Sequence, residues 1–243
     1  MLIGILETGR PADALKDHGS YPEMFERLLG PQDEGFLFRT FAVIDGDVPS
    51  DPRACDAWLV TGSRHGAYER LPWMLKLEDM LRAAVAQKVP VVGICFGHQI
   101  LAQALGGKVE KSGKGWGFGL HDYVVTGAPA LTDGKPEKMT IGALHQDQVV
   151  EVPPGGRVLG GSEFCPNAII AYGDTALTFQ GHPEFDLAFL RGVAEHRLKG
   201  VAPDAVLAQA ATSFETKRSD SPLVAEWIAG FLRQHAVADQ ARR

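Results

Sequence analysis

The chain has 243 residues, 45% of them apolar, with a formal net charge of −6 and a pI near 5.7. That length suits one α/β unit with a substantial core, and an acidic balance with no lysine or arginine cluster along one helix argues against a nucleic-acid surface. The cysteines at 55, 95 and 165 are odd in number and form no Cys-x-x-Cys pair, so neither a disulfide framework nor a zinc site follows, and a reducing cytoplasm fits best.

The apolar start of the chain reaches Glu7 without a basic segment or a cleavage site, which predicts a strand rather than a signal peptide. No run approaches membrane-spanning length. Apolar runs and turn signals predict strands at 2–6, 36–43, 57–61 and 89–94, with helices near 21–29, 73–87 and 98–105. Such alternation describes a largely parallel sheet covered by helices on both faces. From 108 to 180 short candidate strands at 121–126, 138–142, 149–152, 157–163, 168–172 and 175–180 follow one another, separated by turns such as Thr126-Gly127-Ala128-Pro129 and Pro153-Pro154-Gly155-Gly156. They predict antiparallel hairpins added to the sheet. Helices around 186–198, 203–211 and 221–237 close the chain. No repeat, low-complexity stretch or linker divides it, so residues 1–243 are expected to form a single domain.

Two segments carry chemistry. Val89 to Gln99 is an apolar strand running through Gly93-Ile94-Cys95-Phe96-Gly97 into a helix, the layout of a nucleophile elbow in which flanking glycines remove the Cβ atoms that would clash at the apex. Cys95 occupies the apex, where the N–H groups of a helix starting near Gly97 favour the thiolate. Alone, this cysteine reads equally well as a small apolar residue at a buried strand end. The second segment, Thr175 to Glu184, is a strand that delivers His182 and Glu184 with Pro183 between them. A thiol nucleophile needs an imidazole to take its proton, and the imidazole needs a carboxylate to fix its tautomer. Taken alone, His-Pro-Glu would be a surface turn; paired with the elbow it supplies a base and its orienter.

Gly-Ile-Cys-Phe-Gly-His-Gln followed by Gly-His-Pro-Glu, with Thr61-Gly62-Ser63 at the end of an upstream strand, resembles the class I (triad) glutamine amidotransferases, of the free-standing GMP-synthase type. The likeness spans about residues 56–190. It implies an α/β, three-layer, flavodoxin-like fold with Cys95 as nucleophile, His182 as general base and acid, and Glu184 as orienting carboxylate. Oxyanion donors would be backbone N–H groups near Gly62 and of Phe96, and Ser63 and Gln99 would touch the bound glutamine. The loop of Gly115, Trp116 and Gly117 matches one whose backbone meets the amino-acid end of the substrate. His145, in Leu-His-Gln-Asp-Gln-Val, stands where relatives carry a His and an Asp, and it either shapes the cleft from a loop or takes a chemical role.

Other motifs fall away. The glycine alternation of 113–119 has no helix start after it and no acidic partner for a dinucleotide. Gly106-Gly107-Lys108-Val109 lacks the hydroxyl residue and first glycine of a phosphate loop, so no cofactor is called for. His98 is expected to pack or cap with its ring away from Cys95. Ser63 to Glu69 either reads the substrate or caps the helix that follows. Cys55 and Cys165 read as packing residues. The function expected is hydrolysis of the γ-amide of glutamine, or of a γ-glutamyl amide, through a γ-glutamyl thioester, with the ammonia taken by a separate synthetase chain. The alternatives are a γ-glutamyl peptidase acting alone, and a non-catalytic binding module of the same fold.

Overall fold

The structure, a computed structural model, describes residues 1–126 and 137–235. Among these, β1 (Leu2–Leu6), β2 (Leu37–Phe41), β3 (Ala57–Val60), β4 (Val91–Ile94), β6 (Gly117–Val125), β7 (Glu137–His145), β9 (Gly156–Gly161), β10 (Ile169–Tyr172) and β11 (Ala176–Phe179) form one sheet in the order β2-β1-β3-β4-β11-β10-β9-β6-β7. The pairs from β2 across to β11 are parallel and those from β11 to β7 antiparallel. The parallel half thus has the flavodoxin-like order, with β11 as its fifth strand. Strands β5 (Lys108–Lys111) and β8 (Asp147–Glu151) make a separate antiparallel pair.

Parallel strands are buried on both faces, and their side chains divide accordingly. Ile3, Ile5, Ala57, Leu59, Val92 and Ile94 enter the core shared with α1 (Tyr21–Leu29) and α6 (Ser221–His235). Leu6, Trp58, Val60 and Val91 enter the core under α2 (Pro72–Ala86) and α3 (Phe96–Ala104). Helix α1 starts where Ser20 and Glu23 satisfy each other's backbone N–H groups, with Pro22 in its first turn, a capping box that fixes the start. A third core gathers Phe118 and Leu120 of β6, Leu144 of β7, and apolar residues of α4 (Leu187–Val193) and α5 (Asp204–Thr216).

The differences from expectation are local. Strand β6 begins at Gly117, not 121, because the glycines there let α5 lie against the strand: a Cβ on Gly119 would meet Cα of Ala210 at 2.9 Å. Strand β7 runs on to His145, which therefore closes a strand instead of sitting in a loop. Strand β5 was not expected, since Val109 is its single apolar residue; it exists by pairing with β8. Helix α3 starts at Phe96, directly after the elbow. Beyond α4 the chain passes into a π-helical turn, Ala194–Leu198. The expected turn at Thr126-Gly127-Ala128-Pro129 and the end of the expected last helix at 236–237 lie outside the described residues.

Candidate active site

The site lies at the carboxyl ends of three adjacent parallel strands, β3, β4 and β11, where ligands of open α/β sheets bind. Cys95 leaves β4 with φ 53° and ψ −100°, a conformation L-residues rarely hold unless their surroundings enforce it. Two steric facts enforce it here. A Cβ on Gly93 would come within 2.6 Å of the Gly97 carbonyl oxygen, and one on Gly97 within 2.8 Å of Val60 Cβ, so α3 turns back over β4 and β3 only because both positions are glycine. The Cys95 N–H donates to Phe179 O at 2.8 Å, tying the apex to β11. Its side chain is buried, and its Sγ lies 3.9 Å from Leu144 O.

His182 and Glu184 follow β11. The His182 N–H donates to Gly142 O of β7 at 2.7 Å, which pins the main chain there. His182 Nδ1 donates to Glu184 Oε1 at 2.7 Å, so Nε2 is the ring nitrogen that is left for the thiol, and the Cys95 sulfur is near enough to act on the charge of the ring. Phe185 stacks on the imidazole at 4.0 Å and 10°. Burial alone would lower the His182 pKa, but the Glu184 carboxylate and the Cys95 sulfur outweigh it and raise it. The Glu184 side chain is fully buried, and its second oxygen has no partner among the described residues.

Gly62 closes the other side. A Cβ there would stand 3.0 Å from His182 Cε1 and 3.9 Å from Cys95 Cβ, so any larger residue would press on the imidazole. The loop is held from beneath by Thr8, which follows β1: its N–H donates to Thr61 Oγ1 at 3.0 Å and its hydroxyl lies 2.9 Å from Thr61 O and 3.1 Å from Gly62 O.

A cavity of about 180 Å³ opens over Cys95, with Ser63, Gln99, Trp116 and His145 in its lining. A larger cleft, about 640 Å³, lies elsewhere, between β6 and α5; the smaller one holds the reactive sulfur, and chemistry rather than size selects it. Gln99 is almost wholly buried, and its amide donates to Asp147 O at 2.9 Å and to Gln180 Oε1 at 3.1 Å, so its oxygen is what it offers a ligand. His145 Nδ1 donates to the same Asp147 carbonyl at 3.1 Å, and its Nε2 has no partner among the described residues. Burial pushes its pKa down to about 3, so the ring is neutral. Gly117 stands behind that ring, where a Cβ would be 3.1 Å from Nε2, while Gly115 takes φ 78° in the turn before Trp116. His98 is fully buried on Thr178 Oγ1 at 2.8 Å, also with its pKa pushed down to about 3 by burial. His65 pairs with Glu69 at 2.9 Å, and Glu69 accepts from Gly66 N at 2.7 Å, which caps the 3-10 turn that begins there.

Sequence reasoning missed Thr8, Gly142, Gln180 and Arg197. The first three act through their neighbours' backbone or side chains, and Arg197 reaches the cavity from the π-helical turn. None stands at a motif spacing. Among the described residues there is no group of three or more His, Cys, Asp or Glu placed to hold a metal, and no helix is long and apolar enough to cross a membrane.

An α/β sheet carrying a cysteine elbow at the end of one strand, with a histidine–glutamate pair at the end of its neighbour, is the arrangement of a hydrolase. The family model for glutamine amidotransferase class-I matches residues 66–189. Gamma-glutamyl peptidase 2 of Arabidopsis thaliana is 31% identical over 223 residues, 89% of each chain. GMP synthase [glutamine-hydrolyzing] of Lactobacillus delbrueckii subsp. bulgaricus is 41% identical over 83 residues, 34% of this chain and 16% of that one. A glutamine amido transferase from Methylobacillus flagellatus superposes with a TM-score of 0.78 at 24% identity, covering 96% of this chain and 92% of that one. This chain belongs to the class-I glutamine amidotransferase family. It is an enzyme, and the reaction is hydrolysis of an amide.

Proposed function

We propose that this chain hydrolyses the γ-amide of glutamine or of a γ-glutamyl compound through a γ-glutamyl thioester on Cys95, with His182 and Glu184 completing the triad. The observation that carries the reading is the convergence of Cys95 and the His182–Glu184 pair, the pair 2.7 Å apart and Cys95 and His182 both packed against Gly62, at a cavity that Cys95 lines. In the first half-reaction the sulfur attacks the γ-carbonyl carbon, and the Phe96 N–H and an N–H near Gly62 receive the developing oxyanion. The C–N bond then breaks, the departing nitrogen taking a proton from His182. In the second, His182 accepts a proton from water, the hydroxide attacks the thioester, and glutamate leaves as the thiolate returns. Glu184 holds the imidazole tautomer and steadies its charge throughout. Ser63, Gln99 and Trp116 line the place where the substrate's amino-acid part would sit, the backbone of Gly115 and Gly117 completes it, and His145 shapes its floor.

The likeness to a GMP synthase supports a separate synthetase chain as acceptor of the ammonia. The likeness to gamma-glutamyl peptidases supports a second reading, a free-standing hydrolase of larger γ-glutamyl amides. In either case we take residues 1–243 as one catalytic unit working in a reducing cytoplasm, its three cysteines free and buried. The test is glutamate release by the purified chain, with glutamine and with γ-glutamyl amides of increasing size. Release from glutamine or from any of the amides supports the reading. Release from neither overturns it and leaves the non-catalytic binding module.

A further inference from the structure

Charge is distributed unevenly around the cavity. Arg64, Glu69, Lys111 and Asp147 form one mixed group, in which Glu69 lies in the field of Arg64, and Asp147 in the fields of Lys111 and Glu69. Opposite signs side by side suit the ammonium and carboxylate of an amino-acid head. Arg197 stands apart from them. Its turn follows α4, which begins just past Glu184 and Phe185. Its guanidinium lies in the field of Tyr21, a buried ring that also feels the charges of Glu184 and Cys95 and packs 5.7 Å from Phe185, the residue stacked on His182. Trp116 lines the same cavity and packs against the core that contains Tyr21 and Phe185. Among the described residues Arg197 forms no ion pair within 4.0 Å, although it is half-buried.

We infer that Arg197 is a specificity-determining residue that binds a carboxylate carried by the leaving amine, so that the enzyme favours γ-glutamyl amino acids and peptides over γ-amides of neutral amines. The inference rests on the γ-amide reading. The departing nitrogen must face His182 to receive its proton, so any substituent on that nitrogen projects from the His182 side of the cavity; Arg197 lines that cavity and neighbours Tyr21, which packs on Phe185, the ring stacked on His182. A guanidinium offers a carboxylate two parallel N–H donors, and among the described residues no carboxylate pairs with this one within 4.0 Å. Ammonia leaving from glutamine carries nothing to that end, so the contact adds binding energy only for larger substrates.

The experiment compares kcat/KM for γ-glutamylglycine and γ-glutamyl ethylamide, which share the γ-glutamyl group and differ by the carboxylate. The unsubstituted chain should favour the glycine conjugate about tenfold or more, as one charge-assisted contact supplies. Arg197→Gln should reduce that ratio by about tenfold, and Arg197→Lys should restore part of it. Each ratio is taken within one protein preparation, so a loss of folded material cancels. A preference that survives in Arg197→Gln, or hydrolysis of both amides without preference by the unsubstituted chain, overturns the role of Arg197. Hydrolysis of glutamine with neither amide cleaved also overturns the role of Arg197, and release from none of the three overturns the γ-amide reading beneath it.

Discussion

His182 sits between a buried carboxylate and a sulfur, both of which favour its protonated form against the pull of burial. Its pKa is therefore raised from the solution value of 6.5, and the imidazolium that must protonate the leaving nitrogen persists below that raised value and is lost above it. Glu184→Gln keeps the shape but removes the charge, so the pKa should fall and the basic limb of the kcat/KM profile should move to lower pH. The rate should drop as well, but by no more than in His182→Ala, which removes the proton carrier and should cost on the order of 10⁴-fold or more. A pH–rate series on the three proteins checks both. A basic limb that stays in place, or a Glu184→Gln loss larger than that of His182→Ala, would contradict the assigned roles. The residues of this pair were legible in the sequence because both sit on one short segment whose spacing is their geometry. Thr8 and Gly142 were not, because they meet the site only after β1 has paired with β3 and β7 has bridged, at Gly142, to His182 beyond the end of β11. Arg197 was hidden for another reason: within Glu195-His196-Arg197 it reads as a solvated helix face, and the π-helical turn is what brings it to the cavity.

At the scale of elements, the site depends on how closely α3 lies on β3 and β4. Gly97→Ala would place a methyl group against Val60, whose backbone cannot yield without shifting the strand. The helix would have to lift, carrying the Phe96 N–H away from the oxyanion. A cost of about 1–3 kcal/mol is typical of such overpacking, and for a chain of this size each kcal/mol lowers Tm by about 2–4 °C. Gly113→Ala is the control, since a Cβ there meets nothing within 4 Å, and its Tm should stay within about 1 °C of the parent protein's. Thermal unfolding followed with activity checks this: Gly97→Ala should lose both, and an active Gly97→Ala protein with unchanged Tm would remove the steric account of the elbow. The elbow glycines were readable because a turn this tight demands them at fixed offsets. Strand β5 was not, since its pairing with β8 lies across many residues and its own pattern has a single apolar position. The start of β6 was misread because glycines that usually mark a loop here admit α5.

For the whole molecule, the flavodoxin-like half supplies rigid strand ends and the antiparallel half supplies the surroundings. Strand β7 contributes the Gly142 carbonyl to His182 and ends at His145, while the β5–β8 pair brings Lys111 and Asp147 to the rim. The alternation of strands and helices was plain in the sequence because each element buries its own apolar face, whereas the way the hairpins wrap the site follows from pairing no local pattern encodes. The central claim, that Cys95 forms a covalent bond to the carbonyl carbon of the substrate's γ-amide, is tested most directly by labelling with a diazo-ketone analogue of glutamine and mapping the modified peptide. The account predicts one label per chain, on Cys95, protected by substrate and absent from Cys95→Ala. A label on Cys55 or Cys165, or labelling that survives in Cys95→Ala, would contradict it.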